Sequence, residues 1–80
     1  MDEIIDVRLA KVIVEVFHLE DAAVDSKSGA DTIDGWDSLG QLGLIMEIEK
    51  RFGVKFPTAR IVEFDTAGKI QEGLRQLGAL

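Results

Sequence analysis

The chain has 80 residues, 46% of them hydrophobic, and this length suits one small domain with a single core but not a core plus a deep catalytic cleft. The formal net charge of -6 argues against nucleic acid as a ligand, because a phosphate backbone would repel the protein. We therefore expect basic or neutral proteins as partners.

The chain contains no cysteine, which excludes disulfides and thiolate metal sites. Any thiol chemistry would have to come with a prosthetic group. The sequence shows no signal peptide and no apolar run approaching about 18 residues. These features predict a cytoplasmic protein that does not insert into a membrane.

The first predicted element is a helix over residues 3–19, with Asp2 available as N-cap and Asp6 favourable near the positive end of the helix dipole. Its core side carries Ile5, Leu9, Val12, Ile13 and Val16. His18 is the only histidine, and no nucleophile or orienting partner accompanies it. We expect it to be a polar residue near the helix end and not a catalytic base.

Residues 20–37 form a long connection rich in acidic and turn-forming residues. Because loops of this length are usually functional or anchored, its apolar residues should pin it to the bundle. The expected anchors are Val24, Ile33 and Trp36. Asp31, Asp34 and Asp37 lack the alternate-residue spacing and final glutamate of a calcium loop, so we do not expect a metal site there.

The most regular apolar segment runs from Leu39 to Phe52 without a proline and is predicted to be the second helix. Its core side carries Leu44, Ile45, Ile48 and Phe52. A second apolar stripe, roughly opposite, consists of Leu39, Leu42 and Met46. A helix covered on one side only would not need this stripe, so we interpret it as a docking surface. Gly40 and Gly43 flank the stripe and would keep it smooth.

Ser38 stands at the start of this helix and at the head of the stripe. With Gln41 three residues later it fits an S-x-x-Q capping box, in which the serine would only satisfy backbone N–H groups. The same N–H groups and the positive end of the helix dipole would hold a phosphate attached to the serine oxygen. Position alone leaves both interpretations open.

A short third helix is predicted after the second one ends. Gly53 suits the left-handed residue that terminates a helix, and Pro57 forces its neighbour out of helical geometry. Thr58 can then cap a helix that begins at Ala59 and ends at about Glu63 or Phe64. The apolar side of this helix would be Ile61, Val62 and Phe64.

The last predicted helix is capped by Asp65 or Thr66 and ended by Gly78. Its core side would carry Ala67, Ile70, Leu74 and Leu77. The fold class is therefore all-α, a compact antiparallel bundle of three principal helices plus one short helix. We expect one domain over residues 1–80, and a monomer, because all four apolar faces are needed for one small core.

Together these residues resemble the acyl carrier protein family of free-standing, phosphopantetheine-dependent carriers, over about residues 32–77. The residues that carry the resemblance are Asp37, Ser38 and Leu39 at the helix start, the apolar residues after them, and 49–54 at its end. The resemblance implies an acyl-carrier-protein-like fold and a phosphopantetheine arm, derived from coenzyme A, on Ser38. The terminal thiol of that arm would hold an acyl or aminoacyl thioester. Such a protein is a substrate of enzymes and not an enzyme.

The resemblance also implies partners: a phosphopantetheinyl transferase, a loading ligase or transferase for an acyl or aminoacyl group, and a downstream acceptor enzyme. Asp37 would be a contact of the transferase. The residues expected to face partners are Asp37, Leu39, Leu42, Met46, Glu47 and Glu49. Those expected to face an acyl chain are Ile45, Ile48, Phe56 and Ile61.

Charge is distributed differently from the better-known fatty-acid carriers. Residues 1–37 hold ten acidic and three basic side chains, whereas residues 38–80 hold five acidic and six basic ones. Gly40 and Gly43 stand where those carriers more often have acids. This pattern favours a carrier dedicated to one biosynthetic pathway, such as a specialised-metabolite or surface-polymer system.

An alternative from another class is a cofactor-free helical adaptor. It would bind a partner through the Leu39, Leu42 and Met46 stripe and keep Ser38 only as a helix cap. A third possibility, an enzyme, has no support, because no set of nucleophile, base and orienting residue can be assembled from this sequence.

Overall fold

The computed structural model describes residues 4–19 and 24–80. This part of the chain contains three α-helices: α1 (Val7–Val16), α2 (Ser38–Phe52) and α3 (Ala67–Gln76). A 3₁₀ helix at Thr58–Glu63, here called the short helix, lies between α2 and α3. The predicted all-α arrangement of three principal helices and one short helix is confirmed. None of the helices in this described part of the chain is long and apolar enough to cross a membrane.

Helix α1 begins later than the sequence predicts. The Asp6 carboxylate accepts a hydrogen bond from the Arg8 backbone N–H at 2.8 Å, so Asp6 is the N-cap. The sequence analysis assigned the cap to Asp2, which lies outside the described residues, and expected Asp6 only near the positive end of the helix. At the other end, His18 has a φ of 53°, a left-handed value that cannot continue a right-handed helix. The prediction of a helix over residues 3–19 is therefore too long.

Helices α1 and α2 run antiparallel. The Arg8 guanidinium lies 5.7 Å from the centroid of the Phe52 ring, which places the start of α1 beside the end of α2. The core that these helices share with α3 includes Leu9, Ile13, Leu44, Ile45, Ile48, Ile70 and Leu74, all fully buried. The predicted core sides of α1 and α2 are confirmed except at their ends, where Val16 and Phe52 are only half-buried against the core. Leu77 and Val62, assigned to the apolar sides of their helices, are exposed instead.

Replacing Ile48 with alanine is expected to lower the free energy of unfolding by about 2–5 kcal/mol, because it empties a fully buried position. Leu42→Ala, on the opposite side of the same helix, is the matched control. Leu42 is partly exposed, so its truncation should cost much less. Urea denaturation of both variants measures the difference, and equal losses would contradict this assignment of the two helix faces.

The long connection before α2 is anchored as predicted. The Trp36 side chain is buried and stacks on Phe17, with ring centroids 5.2 Å apart, while Val24 and Ile33 pack half-buried against the core. Its backbone also pairs with the start of α3: Ala30 N–H donates to the Asp65 carbonyl at 3.1 Å. These contacts place the end of the connection, and therefore the start of α2, at a defined point on the bundle.

Of the residues predicted to begin or end the other helices, Gly53 and Thr66 are confirmed and Thr58 is not. Gly53 ends α2 with a left-handed φ of 66°, and the Thr66 hydroxyl caps α3 by accepting from Lys69 N–H at 3.2 Å. Both were predicted. Thr58 is not a cap: it is the first residue of the short helix, and Pro57 takes the N-cap position without a side-chain hydrogen bond. Pro57 holds φ near the value that a helix start needs.

Candidate functional site

Ser38 is the first residue of α2 and not its N-cap. The cap is Asp37, whose Oδ1 accepts from the Gly40 backbone N–H at 2.9 Å. The interpretation of Ser38 as a helix cap is therefore wrong, because the carboxylate one residue earlier occupies that role and its charge suits the positive end of the helix. Ser38 is exposed, and its hydroxyl makes no hydrogen bond within residues 4–19 and 24–80. The hydroxyl is thus available for chemistry.

Gln41 does not form a capping box either. Its Nε2 donates to the Ile61 carbonyl at 2.7 Å and to the Phe64 carbonyl at 2.6 Å. Its Oε1 accepts from the Trp36 indole N–H. The side chain therefore joins the start of α2 to the connection before it and to the short helix after it.

A groove of about 640 Å³ lies between the start of α2 and the short helix. Its lining is mostly apolar and consists of Ala30, Trp36, Asp37, Ser38, Gln41, Leu42, Thr58, Ile61, Val62 and Asp65. The volume falls within the roughly 300–1,000 Å³ of ligand sites. Because Ser38 is part of the lining, anything attached to its oxygen begins beside this groove.

The apolar stripe of Leu39, Leu42 and Met46 is not packed against the bundle. These side chains are 82%, 47% and 60% exposed, respectively. Val62, 80% exposed, adds an apolar side chain from the short helix on the other side of the groove. The predicted exposure of the stripe is confirmed, and its role in docking stays a prediction.

The two acids of α2 have partners within the protein. Glu47 forms an ion pair with Arg51 at 2.8 Å, and this hydrogen bond holds the pKa of the Glu47 carboxyl below its usual range. Arg51 also pairs with Glu15 on α1. Glu49 Oε2 accepts from the Phe56 backbone N–H at 2.7 Å. Their predicted role in partner recognition therefore competes with a structural role that the sequence did not indicate.

The four residues predicted to face an acyl chain occupy two environments. Ile61 lines the groove, whereas Ile45 and Ile48 are fully buried in the core. Phe56 is buried too, with its ring centroid 4.8 Å from that of Phe64. Only Ile61 shares a cavity with Ser38, and contact of the other three with a cargo stays a prediction.

Among the described residues, no group of three or more histidine, cysteine, aspartate or glutamate side chains could hold a metal ion. Asp31 and Asp34 are exposed on the connection before α2, and Asp37 is committed to its cap.

A small helical bundle that presents an exposed serine at a helix start, beside an apolar groove, has the architecture of a carrier domain. The sequence pattern of the phosphopantetheine attachment site family matches residues 7–72. The match covers most of the chain, and the protein belongs to this family. It is a carrier of covalently attached phosphopantetheine and not an enzyme, which decides against the cofactor-free adaptor. No solved structure matches the chain.

Proposed function

We propose that Ser38 is the residue that bears phosphopantetheine, and that the protein presents an acyl or aminoacyl thioester to the enzymes of one dedicated biosynthetic pathway. The observation that carries this proposal is the exposed Ser38 hydroxyl, without a partner among the described residues, in the lining of the groove. When bound, the prosthetic group supplies a terminal thiol that forms the thioester.

The other two serines are less suitable. Ser26 and Ser28 are both partly buried in the connection before α2. The Ser28 hydroxyl donates to Asp25 Oδ1 at 3.2 Å and accepts from Asp25 N–H at 3.0 Å. Neither serine lines the groove or begins a helix.

The proposed attachment transfers phosphopantetheine from coenzyme A to the Ser38 hydroxyl. A bond forms between Ser38 Oγ and the phosphorus that bears pantetheine in coenzyme A, the pyrophosphate P–O bond breaks, and adenosine 3′,5′-bisphosphate leaves. The transferase supplies the base that takes the hydroxyl proton. Asp37 is the expected contact of the transferase. Because the Gly40 N–H already holds the Asp37 carboxylate, the orientation of that carboxylate is set before the transferase binds.

Incubation with a phosphopantetheinyl transferase and coenzyme A is expected to add one phosphopantetheine per chain. Ser38→Ala should remain folded, since the exposed hydroxyl bonds to none of the described residues, and should stay unmodified. Intact-mass spectrometry measures both results, and Ser26→Ala is the matched control that should be modified like the native protein. A modified Ser38→Ala variant would show that another residue bears the group.

The charge distribution on α2 supports a dedicated pathway. Glu47 and Glu49 are its only acids, and both are engaged within the protein. Enzymes that recognise a uniformly acidic helix would find few free carboxylates here. We infer that the loading enzyme and the acceptor enzyme bind the apolar stripe. The exposed carboxylates of Asp31 and Asp34 would supply most of the long-range electrostatic attraction.

A further inference from the structure

Gln41 lies between the groove and the core. It is three and four residues before Leu44 and Ile45, so it extends the buried side of α2 toward Ser38. Its side chain is also part of the groove lining. A polar group therefore lies between the groove and the buried residues of α2.

All three hydrogen bonds of the Gln41 amide reach other segments. The amide nitrogen holds the Ile61 and Phe64 carbonyls, at the middle of the short helix and just past its end, at 2.7 and 2.6 Å. The amide oxygen holds the Trp36 indole. Displacing this side chain would leave partly buried donors and acceptors unpaired, which is much more costly than losing an exposed hydrogen bond.

The core behind Gln41 is closed to solvent. Leu44, Ile45 and Ile48 have no exposed surface. Protein interiors have few voids, and inserting extra methylenes into them forces side chains out of their preferred rotamers. A chain that entered here would have to break the Gln41 hydrogen bonds and separate this packing.

We propose that Gln41 is a positioning residue that fixes the short helix against α2 and closes the core side of the groove. A cargo tethered at Ser38 then lies in the outer groove against Leu42, Ile61 and Val62 and does not enter the core. The cargo class that suits this site is a short acyl or aminoacyl group and not a long hydrocarbon chain. This inference rests on Ser38 as the attachment residue.

The positioning role is tested on the unmodified protein by amide hydrogen exchange. Gln41→Ala is expected to speed exchange in the short helix by about tenfold or more relative to the native protein. Gln76→Ala is the matched control: Gln76 accepts from Arg60 of the short helix at 2.9 Å, but on the exposed surface, and should change exchange little. Equal exchange in native protein and Gln41→Ala would overturn the positioning role.

Gln41→Glu separates the hydrogen bonds from the shape of the side chain. The carboxylate keeps an acceptor for Trp36 but has no hydrogen to donate to Ile61 and Phe64. The ratio of the exchange rate in the short helix of Gln41→Glu to that in the native protein, at the same pH, should exceed one at neutral pH. It should fall back toward one as acid protonates the introduced carboxylate, since a protonated acid donates again. A ratio that is independent of pH would contradict a hydrogen-bond role.

The cargo position is tested with acetyl and octanoyl forms, made by a transferase from the corresponding acyl-coenzyme A. In the native protein the octanoyl form should shift the methyl NMR signal of Ile61 but leave Ile45 and Ile48 as in the acetyl form. In Gln41→Ala the octanoyl chain should shift Ile45 and Ile48 as well. Shifts of Ile45 and Ile48 in the native octanoyl form would overturn exclusion from the core.

The two proposals fail separately. If no transferase modifies Ser38, the attachment proposal fails, while hydrogen exchange still decides the role of Gln41. If Ser38 is modified but the exchange in Gln41→Ala is unchanged, the attachment proposal stands and the positioning role is rejected.

Discussion

Gly40→Ala is expected to lower the free energy of unfolding by about 3 kcal/mol or more, whereas Gly43→Ala, three residues further along α2, should raise it by about 0.8–1 kcal/mol. The same substitution in the same helix is thus expected to have opposite signs. Chemical denaturation followed by circular dichroism measures both variants under identical conditions.

The two effects differ because Gly40, in the first turn of α2, packs against the backbone of Gly35 in the turn that precedes the helix. A Cβ on Gly40 would lie 2.0 Å from the Gly35 carbonyl oxygen and 3.0 Å from the Phe17 ring. Gly35 itself has a φ of +89°, which favours glycine, so the turn has little freedom to move away. A Cβ on Gly43 would meet nothing within 4 Å. Gly43 therefore carries only the helix propensity penalty, which alanine removes.

Gly40 also controls the position of Ser38. The turn that approaches Gly40 leads directly into Trp36 and Asp37, which supply the anchor and the cap at the start of α2. The folded fraction of Gly40→Ala should accept phosphopantetheine more slowly than Gly43→Ala, because the start of the helix is displaced. Equal stability and equal modification of the two variants would show that the turn adapts without cost.

Leu42→Asp and Met46→Asp are expected to reduce transfer to or from partner enzymes by about tenfold or more, since side chains central to an interface carry most of its energy. Both residues are substantially exposed, so the folded state should be nearly unchanged. Loading rates at low and moderate salt, together with thermal denaturation, measure the two effects. The reverse result, with stability lost and loading intact, would place this stripe in the core.

Charge variants show whether recognition is apolar or electrostatic. Asp34→Lys changes an exposed carboxylate and should weaken loading mainly at low salt. Glu47→Lys removes one partner of Arg51, and Glu49→Lys removes the acceptor of Phe56 N–H, so both need a stability measurement beside them. If folded Glu47→Lys fails to load while Leu42→Asp loads normally, recognition is electrostatic along the helix and our assignment to the stripe is wrong.

Local sequence patterns were sufficient for the number and order of the helices and for the exposed stripe, but not for the bounds of α1. The spacing of Leu44, Ile45 and Ile48 defines a buried side of α2 because residues three and four apart share one face of a helix. Gly53 ends that helix since glycine adopts a left-handed φ at no steric cost. Patterns could not choose between neighbouring caps: Asp37 and Ser38 both suit an N-cap, and the structure selects Asp37.

The tertiary structure decided the roles of polar residues whose partners are distant in the chain. Gln71 is buried, and it accepts from Asp6 N–H at 2.6 Å and donates to the Ile4 carbonyl at 2.9 Å, across more than 60 residues. Gln41 likewise reaches carbonyls in the short helix and just past its end, 20 and 23 residues away. Periodicity describes which side of a helix is apolar, but it carries no information about which distant carbonyl will lie opposite a polar side chain. That depends on how the helices pack, and the packing is what brings Ser38, the groove and Gln41 together.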